Sequence, residues 1–346
     1  MKYDLVVVGA GPAGSVTAEI VAQAGYEVLV LERDASCNSP CAGYVSSTIN
    51  IELPQTFGIQ SKVTRMRTYF PDLSFHDFPI NGFVADRPAF DMVLALRAES
   101  AGARVLWNSP LLDVTPDGVR FRGGEANTKI IVGADGVFSR TASLLGLEKQ
   151  RVAVCAQYHL KGIEPLPVTS EIFFNADHAP GGYVWIYPTG EDSAKVGLGI
   201  TQAGSRSPHQ YLDAFIAESP LAKRLDGSKT EYITGALPIG GLRDRLCFNN
   251  VLLVGDSAGM ADPVTGAGIN SAMLAGEVAG NTIIAALEND DMAILREYET
   301  KVRRLLARPL DRSKGKRGKL DEYGNSNELL QKYLPDVWVT FSKYWK

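Results

Sequence analysis

The alternation of apolar and polar positions predicts a βαβ unit at the start of the chain. Leu5–Val8 is a continuous apolar run, typical of a strand buried on both faces. A glycine-rich turn follows, and small and apolar residues over 12–24 predict a helix that stops at Gly25. A second apolar run, Val28–Leu31, predicts a parallel strand that delivers Glu32 at its end.

Further along, the pattern changes from buried runs to short alternating stretches. Residues 52–83 contain stretches that could form sheet, and residues 87–107 predict a helix followed by a strand. From about 153 to 235, short strands separated by Gly, Pro and Asp turns predict an antiparallel sheet. A buried strand and a long helix rich in small residues come next. Apolar residues at helical spacing over 292–305 then predict an amphipathic helix, which we expect Pro309 to end.

Composition adds bounds to this picture. The 346 residues suffice for about two domains, and a net charge of −4 does not favour nucleic acid as a partner. Residues 301–320 carry nine Lys or Arg against one Asp, which fits a solvated helix surface or contact with anionic lipid or phosphate. The sequence contains no run of about 18 apolar residues, so it predicts no membrane-spanning helix. We expect a cytoplasmic protein, with peripheral contact at a membrane as an open alternative.

Three glycines between the first strand and helix predict a dinucleotide site. Gly9, Gly11 and Gly14 have the spacing G-x-G-x-x-G. The first permits a tight turn, the second lets the backbone approach a pyrophosphate, and the third lets helix and strand pack closely. Glu32, 18 residues after Gly14, is placed to accept hydrogen bonds from ribose hydroxyls. A purely structural glycine turn is the alternative.

A second glycine cluster favours FAD over NAD. In "GDSAGMADPVTGAGIN", Asp256 follows a strand, and Gly266 and Gly268 open another helix. A carboxylate there can accept hydrogen bonds from the ribityl hydroxyls of a flavin. The helix N-terminus can stabilise negative charge on the reduced flavin ring. The alternative is an acidic residue with a structural role at a strand end.

With these motifs the chain resembles FAD-dependent flavoproteins of the glutathione-reductase type, in the branch of aromatic hydroxylases, halogenases and geranylgeranyl reductases. Arg87 in "RPAFD" and Asp135 in "GADGVFSR" resemble elements of that branch near the flavin. The similarity covers about residues 1–285. It implies an α/β fold, with a Rossmann-like FAD-binding domain, an inserted antiparallel β-sheet substrate domain and a C-terminal helical segment. The expected boundaries are 1–58, 84–152 and 236–287 for the FAD domain, 59–83 and 153–235 for the sheet domain, and 288–346 for the C-terminal segment.

Within that branch, "PGGYVWIYP" resembles the P-x-x-Y-x-W-x-F-P element of geranylgeranyl reductases, with Tyr187 in place of Phe. The resemblance implies that Tyr183 and Trp185 line a substrate cavity. Alternation along a strand also places Tyr183, Trp185 and Tyr187 on one face, and such a row of rings suits an apolar polyene. Ordinary sheet packing is the alternative.

The segment "CNSPCAGY" contains two cysteines, of which the resemblance singles out one. "SPCAGYV" resembles the reductases' P-C-x-G segment near the flavin, which implies a role for Cys41 and leaves Cys37 incidental. A redox disulfide fits less well, because three residues rather than four separate the sulfurs and no second nucleotide fingerprint follows. A zinc site lacks a ligand pattern, and an inert buried thiol stays open.

Motifs and resemblance together give the candidate site residues. Tyr183, Trp185 and Tyr187 are assigned to the substrate, and Cys41 or Tyr183, or a water, to proton donation. No metal is expected. The cofactor set is Gly9, Gly11, Ala13, Gly14, Glu32, Arg33, Cys41, Ala42, Arg87, Asp135, Asp256, Gly266, Gly268 and Ile269.

The function that this set implies is reduction of isoprenoid C=C bonds by hydride transfer from reduced FAD, on geranylgeranyl groups of a lipid or a related prenyl substrate. Because no second nucleotide fingerprint is found, the electron donor is expected to be external, either ferredoxin or NAD(P)H. Two alternatives stay open. One is a flavin monooxygenase or halogenase, although "YVWIYP" lacks the halogenases' W-x-W-x-I-P pattern. The other is a flavin-binding protein without catalysis.

Overall fold

The computed structural model of the chain describes residues 2–47, 58–201, 204 and 206–346. Two compact units share it. Unit 1 comprises Met1–Ser39, Arg87–Arg151 and Pro238–Arg312, and unit 2 comprises Pro40–Asp86, Val152–Leu237 and Ser313–Lys346. The three-part division expected from the sequence stays a prediction, and residues 48–57 of its first segment lie outside the described residues.

Strands and helices alternate over the described chain. The strands are β1 Lys2–Val8, β2 Val28–Leu31, β3 Tyr44–Ser46, β4 Ile59–Tyr69, β5 Phe75–Ala85, β6 Arg104–Leu106, β7 Leu111–Thr115, β8 Gly118–Phe121, β9 Gly124–Gly133, β10 Val152–Lys161, β11 Thr169–Phe173, β12 Tyr183–Pro188, β13 Ser193–Ile200, β14 Ser228–Pro238, β15 Cys247–Phe248 and β16 Val251–Leu253. The α-helices are α1 Pro12–Gln23, α2 Arg87–Ser100, α3 Arg140–Leu144, α4 Pro208–Glu218, α5 Ile269–Glu288, α6 Arg296–Tyr323 and α7 Asn327–Val337.

Unit 1 is built on a mainly parallel sheet with the order β15-β16-β9-β1-β2-β6. The predicted βαβ unit is confirmed: β1 pairs with β2 in parallel from Leu5↔Val28 to Val8↔Leu31, and α1 connects them. These central strands are continuously apolar because helices and loops cover both faces. The expected α/β class with a Rossmann-like domain is thus confirmed, and the carboxyl ends of β1, β2 and β16 lead into the predicted motifs.

Unit 2 is an eight-stranded sheet with the order β14-β10-β13-β12-β11-β4-β5-β3. The neighbours β10–β13, β13–β12 and β12–β11 are antiparallel, as predicted, whereas β11 joins β4 in parallel. One face of this sheet packs with α4 into an apolar core that includes Tyr158, Phe173 and Phe215. The opposite face carries the aromatic residues of β12.

The expectation that Pro309 ends the amphipathic helix is wrong. A short 3₁₀ turn covers Met292–Leu295, and α6 then runs through Pro309 to Tyr323. Proline removes one helical hydrogen bond, at a cost of about 3 kcal/mol. Leu306, Leu310 and Leu320 are buried on both sides of it, and each contributes about 1.5–3 kcal/mol. Packing therefore outweighs the local signal.

None of the helices in the described part of the chain is both long and apolar enough to cross a membrane.

Candidate functional site

The three glycines between β1 and α1 have separate structural reasons. Gly9 has φ +103°, and a Cβ there would come within 3.2 Å of the Asp135 Cα. A Cβ on Gly14 would collide with the carbonyl oxygen of Gly9 and lie 3.0 Å from Val7 Cγ1. A Cβ on Gly11 would meet nothing within 4 Å. Packing therefore requires Gly9 and Gly14, whereas Gly11 borders open space that a phosphate can enter.

Glu32 lies beside this turn. Its Oε2 accepts a hydrogen bond from the Ala10 N–H at 2.8 Å, and its Oε1 accepts one from the Asp34 N–H at 3.1 Å. Each oxygen keeps a lone pair that can accept from a ribose hydroxyl. Arg33 is exposed, and its guanidinium pairs with Asp34 at 3.4 Å. Gly11 caps α1 without a side-chain hydrogen bond, so the positive end of the helix is free of a side-chain cap.

Arg87 is nearly fully buried at the start of α2. Its guanidinium makes two hydrogen bonds to the Asp91 carboxylate, at 3.0 and 2.8 Å. The two side chains are one helical turn apart, and both are almost inaccessible to solvent. Sequence reasoning missed Asp91, although the i,i+4 spacing of Arg and Asp in "RPAFD" was available as a signal. Asp91 fixes the orientation of Arg87.

Asp256 follows β16 and is half-buried at the N-terminus of α5. Its Oδ1 lies 3.3 Å from where a Cβ on Gly268 would be. Burial raises the pKa of the Asp256 carboxyl, and the positive charge of Arg87 acts in the opposite direction. Over the described residues, no hydrogen bond or ion pair involves this carboxylate. An acceptor beside a glycine-capped helix N-terminus is therefore available for the hydroxyl groups of a ligand.

The remaining glycine-cluster residues shape the start of α5. Gly266 has φ +70°, Gly268 caps the helix without a side-chain hydrogen bond, and Ile269 is the first, buried, helical residue. Ala13 lies where α1 crosses α5, and a Cβ on Gly276 would come within 2.6 Å of its carbonyl oxygen. Ala13 thus serves close helix packing in this structure.

The Asp135 carboxylate is hydrogen-bonded to neighbouring residues of the protein. It accepts hydrogen bonds from the Ser139 hydroxyl at 2.5 Å and from the Thr141 N–H and hydroxyl at 2.8 and 3.0 Å. These bonds fix the start of α3. The backbone of this segment also lies against Gly9, so Asp135 supports the first glycine turn.

In unit 2, the segment with Cys41 and Ala42 is held by residues that sequence reasoning did not single out. The Gly43 N–H donates to Cys41 Sγ at 3.4 Å, and the Gly43 carbonyl accepts from the Ala85 N–H at 2.7 Å. Gly43 has φ +87°, a conformation that favours glycine. Lys195, which is buried, donates from Nζ to the Ala85 carbonyl at 2.7 Å. The glycine of "P-C-x-G" was the available signal for this turn.

All four cysteines are free thiols. Cys37 is buried in unit 1, and burial, followed by the charges of Asp91 and Glu32, raises its pKa to about 12. Burial likewise raises the pKa of Cys155 to about 12. These two thiols are therefore protonated at neutral pH. Among the described residues, no group of three or more His, Cys, Asp or Glu is placed to hold a metal ion.

The aromatic residues of β12 form a row on one face of the sheet. The ring centroids of Tyr183 and Trp185 are 6.2 Å apart, and those of Trp185 and Tyr187 are 6.3 Å apart. Trp185 and Tyr187 are buried and Tyr183 is half-buried. Tyr44 contacts Tyr187 at 5.9 Å. Burial raises the pKa of Tyr187 well above its ordinary value, so that this phenol stays protonated.

The C-terminal part of unit 2 closes the Tyr183 end of the row. The Trp338 ring lies 5.1 Å from the Tyr183 ring, and its indole N–H donates to Thr68 Oγ1 at 2.9 Å. Arg317 donates to the Gly181 carbonyl at 2.6 Å and pairs with Asp321 at 2.8 Å. Nothing near Trp338 in the sequence signals this contact, because about 150 residues separate it from β12.

The site residues thus fall into two groups. Unit 1 holds the glycine turns with Glu32, Arg87 and Asp256, and unit 2 holds the Cys41 turn and the aromatic row. The chemical character of the first group is that of a dinucleotide cradle, and that of the second is a dry aromatic surface.

Comparisons with known proteins agree with both groups. A family model described as the geranylgeranyl reductase catalytic domain matches residues 151–236, and one described as an FAD binding domain matches residues 2–77. The chain is 36% identical to digeranylgeranylglycerophospholipid reductase 1 of Methanopyrus kandleri, over 86% of this chain and 85% of that protein. It is 35% identical to digeranylgeranylglycerophospholipid reductase 2 of Methanothermobacter thermautotrophicus, over 94% of this chain and 89% of that protein.

Solved structures resemble the whole fold. A geranylgeranyl bacteriochlorophyll reductase-like protein from Thermoplasma acidophilum has a TM-score of 0.90 at 27% identity, covering 99% of this chain and 93% of that one. A flavin-dependent brominase variant has a TM-score of 0.73 at 18% identity, covering 99% and 97%. The second likeness concerns the fold alone and does not argue for halogenation.

Proposed function

Because the chain belongs to the geranylgeranyl reductase family of FAD-dependent oxidoreductases, we propose that it saturates C=C bonds in the geranylgeranyl chains of a glycerophospholipid. The observation that carries this proposal is its 36% and 35% identity, over most of both chains, to two digeranylgeranylglycerophospholipid reductases. The cofactor is FAD, in agreement with the matching FAD-binding model and with the open space at Gly11.

Each part of the unit 1 site suits one part of FAD. The N-terminus of α1 and Gly11 would hold the pyrophosphate, Glu32 the ribose hydroxyls, and Asp256 the ribityl hydroxyls. Gly266, Gly268 and the start of α5 would lie near the flavin ring. Once bound and reduced, FAD supplies the hydride for the alkene.

The protein's own task is to place and shield the alkene. An isolated C=C bond is a poor hydride acceptor, so catalysis depends on positioning and on exclusion of water. The aromatic row of β12 offers flat apolar surfaces for a prenyl chain. Trp185 and Tyr187 are 6% and 7% exposed, so little solvent reaches these two rings. Tyr183, Trp185 and Tyr187 are therefore our proposed substrate-binding residues.

The second alkene carbon needs a proton, and Cys41 and Tyr183 are the proposed donors. The Gly43 N–H donates to the Cys41 sulfur, and the rings of Trp185 and Trp338 both contact the Tyr183 ring. Tyr183→Phe retains the ring and removes the hydroxyl, and Cys41→Ala removes the thiol. Loss of turnover with unchanged substrate affinity in one of these variants would identify the donor.

An anaerobic single-turnover experiment tests the proposed function. The bound flavin is reduced with dithionite, a glycerophospholipid with geranylgeranyl chains is added, and the visible flavin band is followed. We expect reoxidation coupled to a saturated product detected by mass. A flavin that stays reduced until air is admitted would instead indicate a monooxygenase or halogenase. A bound flavin that reacts neither with the lipid nor with an aromatic substrate of a monooxygenase or halogenase would indicate a flavin-binding protein without catalysis.

The electron donor is proposed to be external, since the sequence contains no second nucleotide fingerprint. Ferredoxin and NAD(P)H can each replace dithionite in the same anaerobic experiment. The one that reduces the flavin at a rate matching turnover is the donor.

Peripheral membrane contact is proposed for one face of α6. Arg304, Arg308 and Lys319 are exposed, and their spacing of four and eleven residues places them on one helical face. Such a face suits the anionic headgroups of the membrane that would contain the substrate. No ion pair involves these three side chains within the described residues.

Charge reversal tests this contact. Replacing all three residues with Glu is expected to weaken binding to vesicles of anionic phospholipid roughly 100-fold, since each basic residue near such a surface contributes about 1 kcal/mol. Arg122→Glu with Lys149→Glu and Lys223→Glu, three exposed basic positions elsewhere, is the control for net charge. Unchanged vesicle binding in the α6 variant would remove the proposal.

A further inference from the structure

The indole of Trp185 does not point away from the sheet but lies across the neighbouring strand. In the pairing of β10, β13 and β12, Gln157 is opposite Gly197, and Gly197 is opposite Trp185. Directly paired residues project to the same face of a sheet. The indole N–H of Trp185 donates to Gln157 Oε1 at 2.9 Å. The ring thus spans from β12 over β13 to β10.

Gly197 makes this arrangement possible. A Cβ on Gly197 would lie 2.5 Å from Trp185 Cζ2 and 2.6 Å from Cε2. Ordinary contact begins at 3.4 Å, so any side chain at this position would displace the ring by about 0.9 Å, the difference between 3.4 and 2.5 Å. Gly197 is not one of the glycines with a positive φ, so its backbone conformation does not require glycine. The same Cβ would lie 2.7 Å from the Ala156 carbonyl oxygen on β10, so the indole and this backbone atom together exclude a side chain, with the indole nearest.

Gln157 holds the other end of the ring. It is 4% exposed, and Trp185 is 6% exposed, so neither group can exchange its hydrogen bond for one to water without rearrangement. Removing the acceptor would leave a buried indole N–H without a partner. The hydrogen bond from Trp185 to Gln157 on β10 and the space left by Gly197 on β13 both determine where the Trp185 ring lies.

We propose that Gly197 and Gln157 are positioning residues that fix the height and tilt of the Trp185 ring above the sheet, and thereby the space left for the prenyl chain. This inference rests on the proposed function, since it takes Trp185 as part of the substrate surface. Trp185 is 6% exposed, so the ring cannot shift by about 0.9 Å into open solvent, and a displaced ring would change the shape of that space. The ligand concerned is the apolar polyisoprenoid chain and not the headgroup.

Steric coupling between positions 197 and 185 provides the first test. Gly197→Ala is expected to raise KM for the geranylgeranyl lipid and to lower kcat/KM by about 10- to 100-fold, as expected for a shift near 1 Å in a positioned site. In a Trp185→Phe background the smaller ring relieves the clash with the ring, whereas the contact of the new Cβ with the Ala156 carbonyl oxygen remains. The same Gly197→Ala change should then lower kcat/KM several-fold less than it does in the wild type, which is a non-additive result.

Gly199→Ala is the matched control on the same strand. A Cβ there would lie 3.8 Å from Trp185 Cζ3, an ordinary contact, and 3.3 Å from Cys155 Sγ. We expect near wild-type kinetics. If Gly199→Ala loses as much as Gly197→Ala, or if Gly197→Ala is equally harmful with Phe at 185, the effect belongs to the strand and the inference is wrong.

Gln157 is tested by rescue. Gln157→Leu should raise KM in the same direction. Gln157→Glu keeps an oxygen acceptor, and assayed at a pH at which the buried carboxyl is protonated it should recover most of the loss. Equal loss in both variants would overturn the role of the acceptor. The FAD content of every variant, measured by flavin absorbance, should match that of the wild type.

A readout without substrate separates this inference from the proposed function. Near-ultraviolet circular dichroism of the holoprotein reports the asymmetric environment of Trp185, isolated as the difference between wild type and Trp185→Phe. Gly197→Ala and Gln157→Leu should change that difference signal, and Gly199→Ala should not. If the dichroism changes as expected but the protein reduces no prenyl lipid, the inferred ring geometry stands and the proposed function is wrong. Unaltered dichroism would reject the positioning role.

Discussion

At the scale of single residues, Asp256 has the clearest conflict between folding and function. Its carboxylate is half-buried, has no hydrogen-bond or ion-pair partner among the described residues, and lies beside the N-terminus of α5. Burial raises its pKa because the charged form is poorly solvated. A polar group without a partner costs stability until a ligand supplies one. Bound FAD, with its ribityl hydroxyls, is the ligand that we expect to remove this cost.

The Asp256→Asn variant tests this explanation through pH. An acid with a raised folded-state pKa binds its proton more tightly in the folded than in the unfolded chain. The cofactor-free wild type should therefore lose stability as pH rises from the unfolded value, about 4, towards the raised folded value. Asn is neutral throughout. The variant should gain stability relative to wild type across that window, as measured by urea unfolding at several pH values.

The same variant should bind FAD at least about tenfold more weakly, because hydrogen bonds to a charged acceptor contribute about 1.5–3 kcal/mol. Asp290→Asn is the control, since Asp290 is exposed at the end of α5. A pH dependence identical in wild type and Asp256→Asn would show that another group is responsible.

At the scale of elements, α6 shows how packing prevails over a local signal. The apolar stripe that continues beyond Pro309 includes the fully buried Leu320, and Arg317 on the same segment is tied to the Gly181 carbonyl. The helix is kept in spite of the proline, which is exposed. Its ring contributes little burial and withholds one hydrogen bond.

Pro309→Ala should therefore stabilise the protein. The substitution restores a helical N–H, and part of the gain is offset because alanine leaves the unfolded chain more freedom. We expect the free energy of unfolding to rise by about 1–2 kcal/mol in urea denaturation. Leu310→Ala, one residue along, should instead lower it by about 2–5 kcal/mol. A destabilised Pro309→Ala would mean that α6 packs through a bend that only proline provides.

Elements with a strong local pattern could be predicted, and contacts between distant segments could not. The β1–α1–β2 unit follows from its apolar runs and glycines, and the row on β12 follows from alternation. Gln157 and Gly197 carry no such signal, because their role appears only when three strands are in register. Trp338 reaches Tyr183 from the far end of the chain for the same reason.

At the scale of the whole molecule, each unit has an apolar core of its own. The parallel strands and α5 form that of unit 1, and β10–β13 with α4 form that of unit 2. The stability of the holoprotein must also include the cofactor. A ligand that binds only the folded state stabilises it by RT ln(1 + [L]/Kd), about 2.7 kcal/mol at a concentration of 100 times Kd.

The Gly11→Ala variant separates the stability that bound FAD contributes from the stability that packing contributes. A Cβ on Gly11 meets nothing within 4 Å, and its φ of −73° is open to any residue, so the cofactor-free fold should keep its stability or gain about 0.4–1 kcal/mol. The same Cβ would occupy the space that we propose for the pyrophosphate. We therefore expect the FAD-dependent rise in melting temperature to shrink or vanish, whereas Gly14→Ala should destabilise the cofactor-free protein itself through its clash with Gly9. Differential scanning calorimetry with and without FAD distinguishes the two variants. A full FAD-dependent shift in Gly11→Ala would place the pyrophosphate away from this turn.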